Sequence, residues 1–165
     1  MVRIRTATAA DIAAVDALLA RSYPRLLARD YAPSVLVTAI PAMARAQPAL
    51  VTSGTYFVAE DAGAVIGAGG WTAAFPGGGH AEPGRANVRH VVTDDRRMRQ
   101  GVGRALMGHV CDTARAAGMT WMHCMATLTA VPFYTALGFT TLGPITVPLG
   151  PARIAFPAVA MRRDL

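Results

Sequence analysis

The 165 residues, 53% hydrophobic and only 16% charged, suit one domain over residues 1–165 with its own core and exclude a disordered tail. All 16 basic residues are arginine and outnumber ten acidic ones for a net charge of +6; no basic run interleaves with aromatics, so the charge suits a small polyanion and no nucleic acid. No apolar run nears the roughly 20 residues that span a bilayer, and residues 1–6 resemble no secretion signal, so the expectation is a cytoplasmic protein with no membrane partner.

Heavy use of alanine and the absence of lysine fit a GC-rich bacterial genome. Along the chain, Ile4 alternates with Arg3 and Arg5 in a short strand. Asp11 offers a carboxylate to the free N–H groups of a helix whose apolar positions are Ile12, Val15, Leu18 and Leu19. Tyr23-Pro24 is expected to end that helix, and a second is expected over residues 33–46. Residues 55–60 are rich in β-formers and turn at Asp61-Ala62-Gly63 into a strand from Ala64. Glycines at 67, 69 and 70 in that strand imply a bulge or a close backbone approach.

Residues 76–84 read as a surface loop, 87–93 as a strand and 103–117 as an amphipathic helix stopped by Gly118. A strand over 121–127, a short helix over 130–137 and strands over 139–147 and 155–161 complete the chain. Cys111 and Cys124 read as small buried apolar residues rather than a disulfide. No Cys/His grouping has zinc-ligand spacing, so no metal is expected.

The chemistry sits at Val91-Val92-Thr93, followed by the polar run 94–100 and then Gly101-Val102-Gly103 opening a helix. N–H groups at a helix start have no intrahelical partner and lie at the positive end of the helix dipole. Glycine lets such a backbone approach phosphate oxygens closely, so the turn fits a pyrophosphate, with arginines at 96, 97, 99 and 104 around it. A dinucleotide fingerprint requires Gly or Ala where Leu106 stands, and a P-loop requires a lysine the chain lacks.

One strand downstream lies Phe133-Tyr134-Thr135-Ala136-Leu137-Gly138-Phe139. With both segments in this order and spacing, the chain resembles the GNAT superfamily of N-acetyltransferases, most clearly over residues 55–140. The resemblance implies an α/β (α+β) fold: a strongly twisted mixed β-sheet of six to seven strands with about four flanking helices, splayed where a thioester lies. It also implies acetyl-CoA as acyl donor, no metal, and transfer to an amine of a small molecule or peptide. Many such domains form homodimers. Val91, Val92 and Thr93 look like the strand that pairs with the pantetheine arm. Arg99, Gln100, Gly101, Val102, Gly103 and Arg104 look like the pyrophosphate loop. Tyr134 matches the tyrosine that protonates the departing thiolate. Met98 stands where the family commonly has Gln or Arg, and Thr127 replaces a frequent Asn near the cofactor.

Transfer to an amine requires a base, because a lysine-like amine has a pKa near ~10.4 and is mostly protonated at neutral pH. Glu82, His90, His80 and water are the candidates. A backbone N–H near Val92 is expected to polarise the thioester carbonyl. A non-catalytic acyl-CoA-binding regulatory domain on the same scaffold is the alternative, in which Tyr134 only packs.

Overall fold

A computed structural model describes all 165 residues. One seven-stranded sheet organises the chain: β1 (Arg3–Thr6), β2 (Tyr56–Asp61), β3 (Ala64–Thr72), β4 (Arg85–Thr93), β5 (Trp121–Thr127), β6 (Thr140–Leu149) and β7 (Ile154–Asp164), in the spatial order β1-β2-β3-β4-β5-β7-β6. All neighbours are antiparallel except β4 and β5. Five helices flank it: α1 (Ile12–Leu27), α2 (Pro33–Met43), the single turn α3 (Pro48–Val51), α4 (Val102–Ala116) and α5 (Val131–Ala136).

Strand alternation divides the core between the two faces. Tyr56, Val58, Ala68 and Val92 meet Val15, Leu18 and Leu19 of α1 on one face. Phe57, Trp71 and Met122 meet Leu106, Met107 and Val110 of α4, together with Tyr134 of α5, on the other. The two-residue turn between β2 and β3 places Ala62 and Gly63 at φ of 50° and 79°, as the Asp-Ala-Gly sequence implies.

Three expectations about the N-terminal half need correction. α1 does not stop at Tyr23-Pro24 but continues to Leu27. A proline inside a helix costs about 3 kcal/mol. Burial of Tyr23 and Leu27 in the same cluster as Val15 offsets it, since a buried large apolar side chain contributes about 1.5–3 kcal/mol. Asp11 does not cap the first turn of α1. Its carboxylate turns back to the Thr8 N–H at 2.8 Å and to both terminal nitrogens of Arg5 at 2.9 and 2.8 Å. The second helix ends at Met43, and α3 forms after it with Pro48 in its first turn.

The feature that creates a site is the short pairing of the parallel strands. β4 and β5 are in register only over Arg85–Asn87 and Trp121–His123. Beyond that, β4 follows β3 and β5 follows β7, so the two strands diverge. A bulge opens β4 further: Ala68 pairs with Val92 but Gly70 pairs with Arg89, leaving His90 and Val91 against one residue of β3. His90 takes φ of 50° there. Gly69 faces the bulge, where an added Cβ would lie 2.8 Å from Val91 Cγ2, so the glycine is what lets the strands close.

Candidate active site

The divergence of β4 and β5 leaves a cavity of about 350 Å³ whose wall includes Val91, Val92, Thr93, Thr127 and Tyr134. Main-chain groups alternate sides along a strand. Asp94 N–H donates to the Ile66 carbonyl on the β3 side at 2.8 Å. By that alternation Val92 also faces β3, whereas Thr93 turns its main-chain groups toward the gap. Two buried hydroxyls brace the bulge: Tyr23 donates to the Val91 carbonyl at 3.1 Å and Tyr56 to the His90 carbonyl at 2.8 Å.

Past Thr93 the chain makes the turn that opens α4. Asp94 is its anchor, with its side chain 3% exposed. One carboxylate oxygen accepts from Arg96 N–H at 2.9 Å and the other from Arg21 at 3.0 Å. Arg96 beside it, against the opposing effect of burial, holds the Asp94 carboxyl down at about 2. Arg97 bonds Asp61 at 2.7 Å and Gln100 Oε1 at 2.9 Å. Of the four arginines around the turn, then, 96 and 97 are spent on carboxylates, whereas Arg99 and Arg104 are exposed and have no carboxylate partner.

Arg99 and Gly101 both have positive φ, 62° and 80°. No side chain caps α4, so the first N–H groups of the helix are open to a ligand. A Cβ at Gly101 would meet nothing within 4 Å, but one at Gly103 would lie 2.8 Å from Phe133. Gly103 thus packs the turn against a cavity-lining ring while Gly101 leaves the outer face clear. The Val102 side chain points away, into a small cluster with Ala59 and Ile66, leaving only its main chain for the turn. An anion-binding cradle fits here, continuous through Thr93 and Phe133 with the cavity.

Tyr134 is buried between Phe133 and Phe139, with ring centroids 5.1 and 5.2 Å away, and its hydroxyl faces the Cys124 thiol. Burial first, then Cys124, push the hydroxyl well above its ordinary 10.0, so it stays protonated. Burial also pushes the Cys124 thiol up to about 12. Cys111 and Cys124 are both free and buried. Thr127 Oγ accepts from Ala130 N–H at 3.2 Å and so caps the turn into α5.

Of the three side chains considered as base, only His90 lines the cavity. Glu82 is exposed and bonded to Arg85 at 3.0 Å, and His80 gives its carbonyl to the same arginine at 2.7 Å. His90 Nε2 lies 2.7 Å from the Met43 carbonyl, which requires the proton on that nitrogen, and Nδ1 is buried without a partner. Burial lowers its pKa below the ordinary 6.5, so the ring is neutral at pH 7. Arg89 and Thr129 also line the cavity, the latter with a buried, unpartnered hydroxyl. The sequence reading missed both; Arg89 was within reach, one residue from His90 on a strand already assigned.

Residues 52–141, more than half of the chain, match the family model of the acetyltransferase (GNAT) domain. The chain belongs to the GNAT acetyltransferases. No curated protein matches its sequence. Its GNAT fold is similar to that of a GCN5-related N-acetyltransferase from Rhodopseudomonas palustris, with a TM-score of 0.78 at 19% identity over 99% of this chain and 95% of that one. PaiA N-acetyltransferase from Thermoplasma acidophilum, in complex with coenzyme A, matches with a TM-score of 0.70 at 10% identity over 100% and 99% of the two chains. For yncA of Salmonella typhimurium, with its cofactor acetyl-CoA, the TM-score is 0.70 at 20% identity over 100% and 94%. The seven strands agree with the mixed GNAT sheet expected, and α3 makes the helices five rather than four.

Within this GNAT scaffold Asp94 gives a stability prediction. Asp94→Asn should lower unfolding free energy by about 1–3 kcal/mol at neutral pH, since it weakens charge-assisted bonds to a buried group. The folded-state pKa is depressed, so this stabilisation is complete above the unfolded value of 3.8 and is lost as pH falls toward about 2. Denaturant titrations should therefore show the two proteins converging in that window. A constant gap down to pH 2 would contradict the assignment.

Proposed function

We propose that the protein is an acetyl-CoA-dependent N-acetyltransferase that moves an acetyl group to a primary amine by direct attack on the thioester. The observation that carries this reading is the continuity of the β4–β5 gap with the uncapped Gly101–Gly103 turn, which together suit a pantetheine arm and a pyrophosphate. Acetyl-CoA supplies an activated acyl carbon. Val91 and Thr93 pair with the pantetheine amides, the α4 N-terminus with Arg99 and Arg104 holds the pyrophosphate, and Met98 and Phe133 cover the arm.

The protein's own groups then handle protons and charge. The Val91 N–H stabilises the developing oxyanion. His90 Nδ1, oriented by the Nε2–H bond to Met43, takes the proton that the amine must lose. Tyr134 donates its hydroxyl proton to the departing sulfur. As the amine nitrogen gains its C–N bond and the C–S bond breaks, the second amine proton passes to Tyr134 in exchange for the one given to sulfur, so that Tyr134 ends protonated, CoA leaves as the thiol and His90 releases the first proton to solvent. A thiol held at about 12 is a poor nucleophile, which favours direct attack over an acyl-Cys124 relay.

The test has two readouts. Acetyl-CoA at about 100 times its Kd should stabilise the protein by about 2.7 kcal/mol in a thermal-shift assay, and a panel of primary amines should release free CoA thiol. Stabilisation with no thiol release from any amine would favour the non-catalytic acyl-CoA-binding domain. Absence of both would remove acetyl-CoA from the account.

A further inference from the structure

Arg89 is the one arginine on the cavity wall, and no aspartate or glutamate lines that cavity. Its guanidinium donates to two neutral oxygens, Thr72 Oγ at 3.1 Å and Gln47 Oε1 at 3.2 Å. Most other half-buried arginines are neutralised: Arg5 by Asp11 and Glu60, Arg21 by Asp94, Arg85 by Glu82, Arg97 by Asp61 and Arg162 by Asp164; Arg163, which donates to Cys111 Sγ at 3.4 Å, is the exception and does not line the cavity. A half-buried cation without a carboxylate is costly unless an anion joins it, and three of its five N–H donors remain for one.

The phosphates of acetyl-CoA are on the wrong side to be that anion. They belong to the turn after Thr93, and Arg89 precedes Thr93 by four residues, at most roughly 13 Å at about 3.3 Å per residue and less across the bulge. Between them lies the His90–Val91 bulge, where the thioester carbonyl is held. Arg89 therefore sits on the acceptor's side of the reacting carbon. The rest of that side is apolar, with Leu26, Leu27, Met43, Val147, Leu149 and Phe156 on the wall. A polycationic acceptor finds no counter-charge there.

We infer that the acceptor is a primary amine carrying its own carboxylate on an apolar body, an apolar amino acid or close analogue, whose carboxylate is gripped by Arg89 with Gln47 beside it. This rests on the acetyltransferase reading above and names the substrate class of that same site.

The experiment compares leucine, methionine and phenylalanine with their methyl esters, with the corresponding decarboxylated amines and with spermidine. It reads both thiol release and, with CoA present, thermal stabilisation by each compound. Free amino acids should be preferred by about 10- to 100-fold in kcat/KM, the usual worth of a charge-assisted bond. Arg89→Gln should abolish that preference while acetyl-CoA still stabilises the protein. Arg89→Lys, which keeps the charge but loses the fork, should fall between and serves where the glutamine variant folds poorly. Equal or better turnover of esters, decarboxylated amines or spermidine would overturn the inference and leave the acetyltransferase reading standing. It would equally be overturned if neither release nor stabilisation distinguished the amino acids, whatever acetyl-CoA alone did.

Discussion

Replacing Tyr134 by phenylalanine is expected to lower turnover by about 10²- to 10³-fold while acetyl-CoA affinity stays within a few-fold of the parent. The substitution removes one oxygen from a ring that remains packed between Phe133 and Phe139, so the fold has little reason to change. What is lost is the hydroxyl that faces Cys124 and that the proposed mechanism uses as proton donor to the departing sulfur. Because burial holds that hydroxyl protonated far above its ordinary 10.0, the parent should show no loss of activity from Tyr134 as pH rises through 9, and the variant should be depressed evenly across the range. Stopped-flow thiol release against pH, with melting temperature as a control on folding, makes the measurement. Turnover within two- to three-fold of the parent would reduce Tyr134 to a packing residue and revive the non-catalytic reading.

The parts of this site that could be read from sequence are those encoded by local pattern. β-branched residues running into a polar segment, then glycines and an amphipathic helix, specify strand, turn and helix whatever surrounds them, and Gly101 at φ of 80° is the backbone conformation that such a turn needs. The strand over 121–127 and Tyr134 three residues into α5 follow from alternation and from the Leu137-Gly138 stop. What could not be read depends on partners distant in the chain. Nothing near Pro24 reveals that Tyr23 will find the Val91 carbonyl 68 residues away and hold α1 together past the proline. The Asp94–Arg96 pair was legible in principle, since two acids stand directly before two arginines. Weighing charge alone grouped all four arginines on the phosphate side.

The bulge in β4 shows why the central chemistry was the least legible part. A strand pattern over residues 87–93 assigns His90 to one face or the other; it does not indicate an extra residue that turns φ positive and twists the ring toward Met43. The glycines opposite hinted at it, because a strand with Gly67, Gly69 and Gly70 is accommodating something. Only the paired register reveals that Gly69 accommodates Val91. The same irregularity braces the carbonyls of His90 and Val91 with buried tyrosine hydroxyls and leaves Nδ1 of His90 without a partner inside the wall. A buried lone pair on a neutral imidazole costs stability unless something uses it.

That lone pair carries the second large prediction. His90→Asn should lower turnover by about 10²-fold, because asparagine tolerates the positive φ of the bulge but cannot accept the amine proton as imidazole does. The discriminating readout is the pH profile. Since burial lowers the His90 pKa below 6.5, the neutral base is present throughout the physiological range and is lost only on the acid side. The logarithm of kcat/KM for the parent should therefore steepen by one unit of slope as pH falls through the His90 pKa, over and above the titration of the amine. The variant should show no such steepening. Stability gives an independent sign: in the parent, protonation is easier for the unfolded histidine than for the buried one, so stability declines as pH falls below 6.5, and the variant should lack that component. If the variant loses the stability component yet keeps both its turnover and the steepened profile, His90 only braces the bulge, and water must carry the proton.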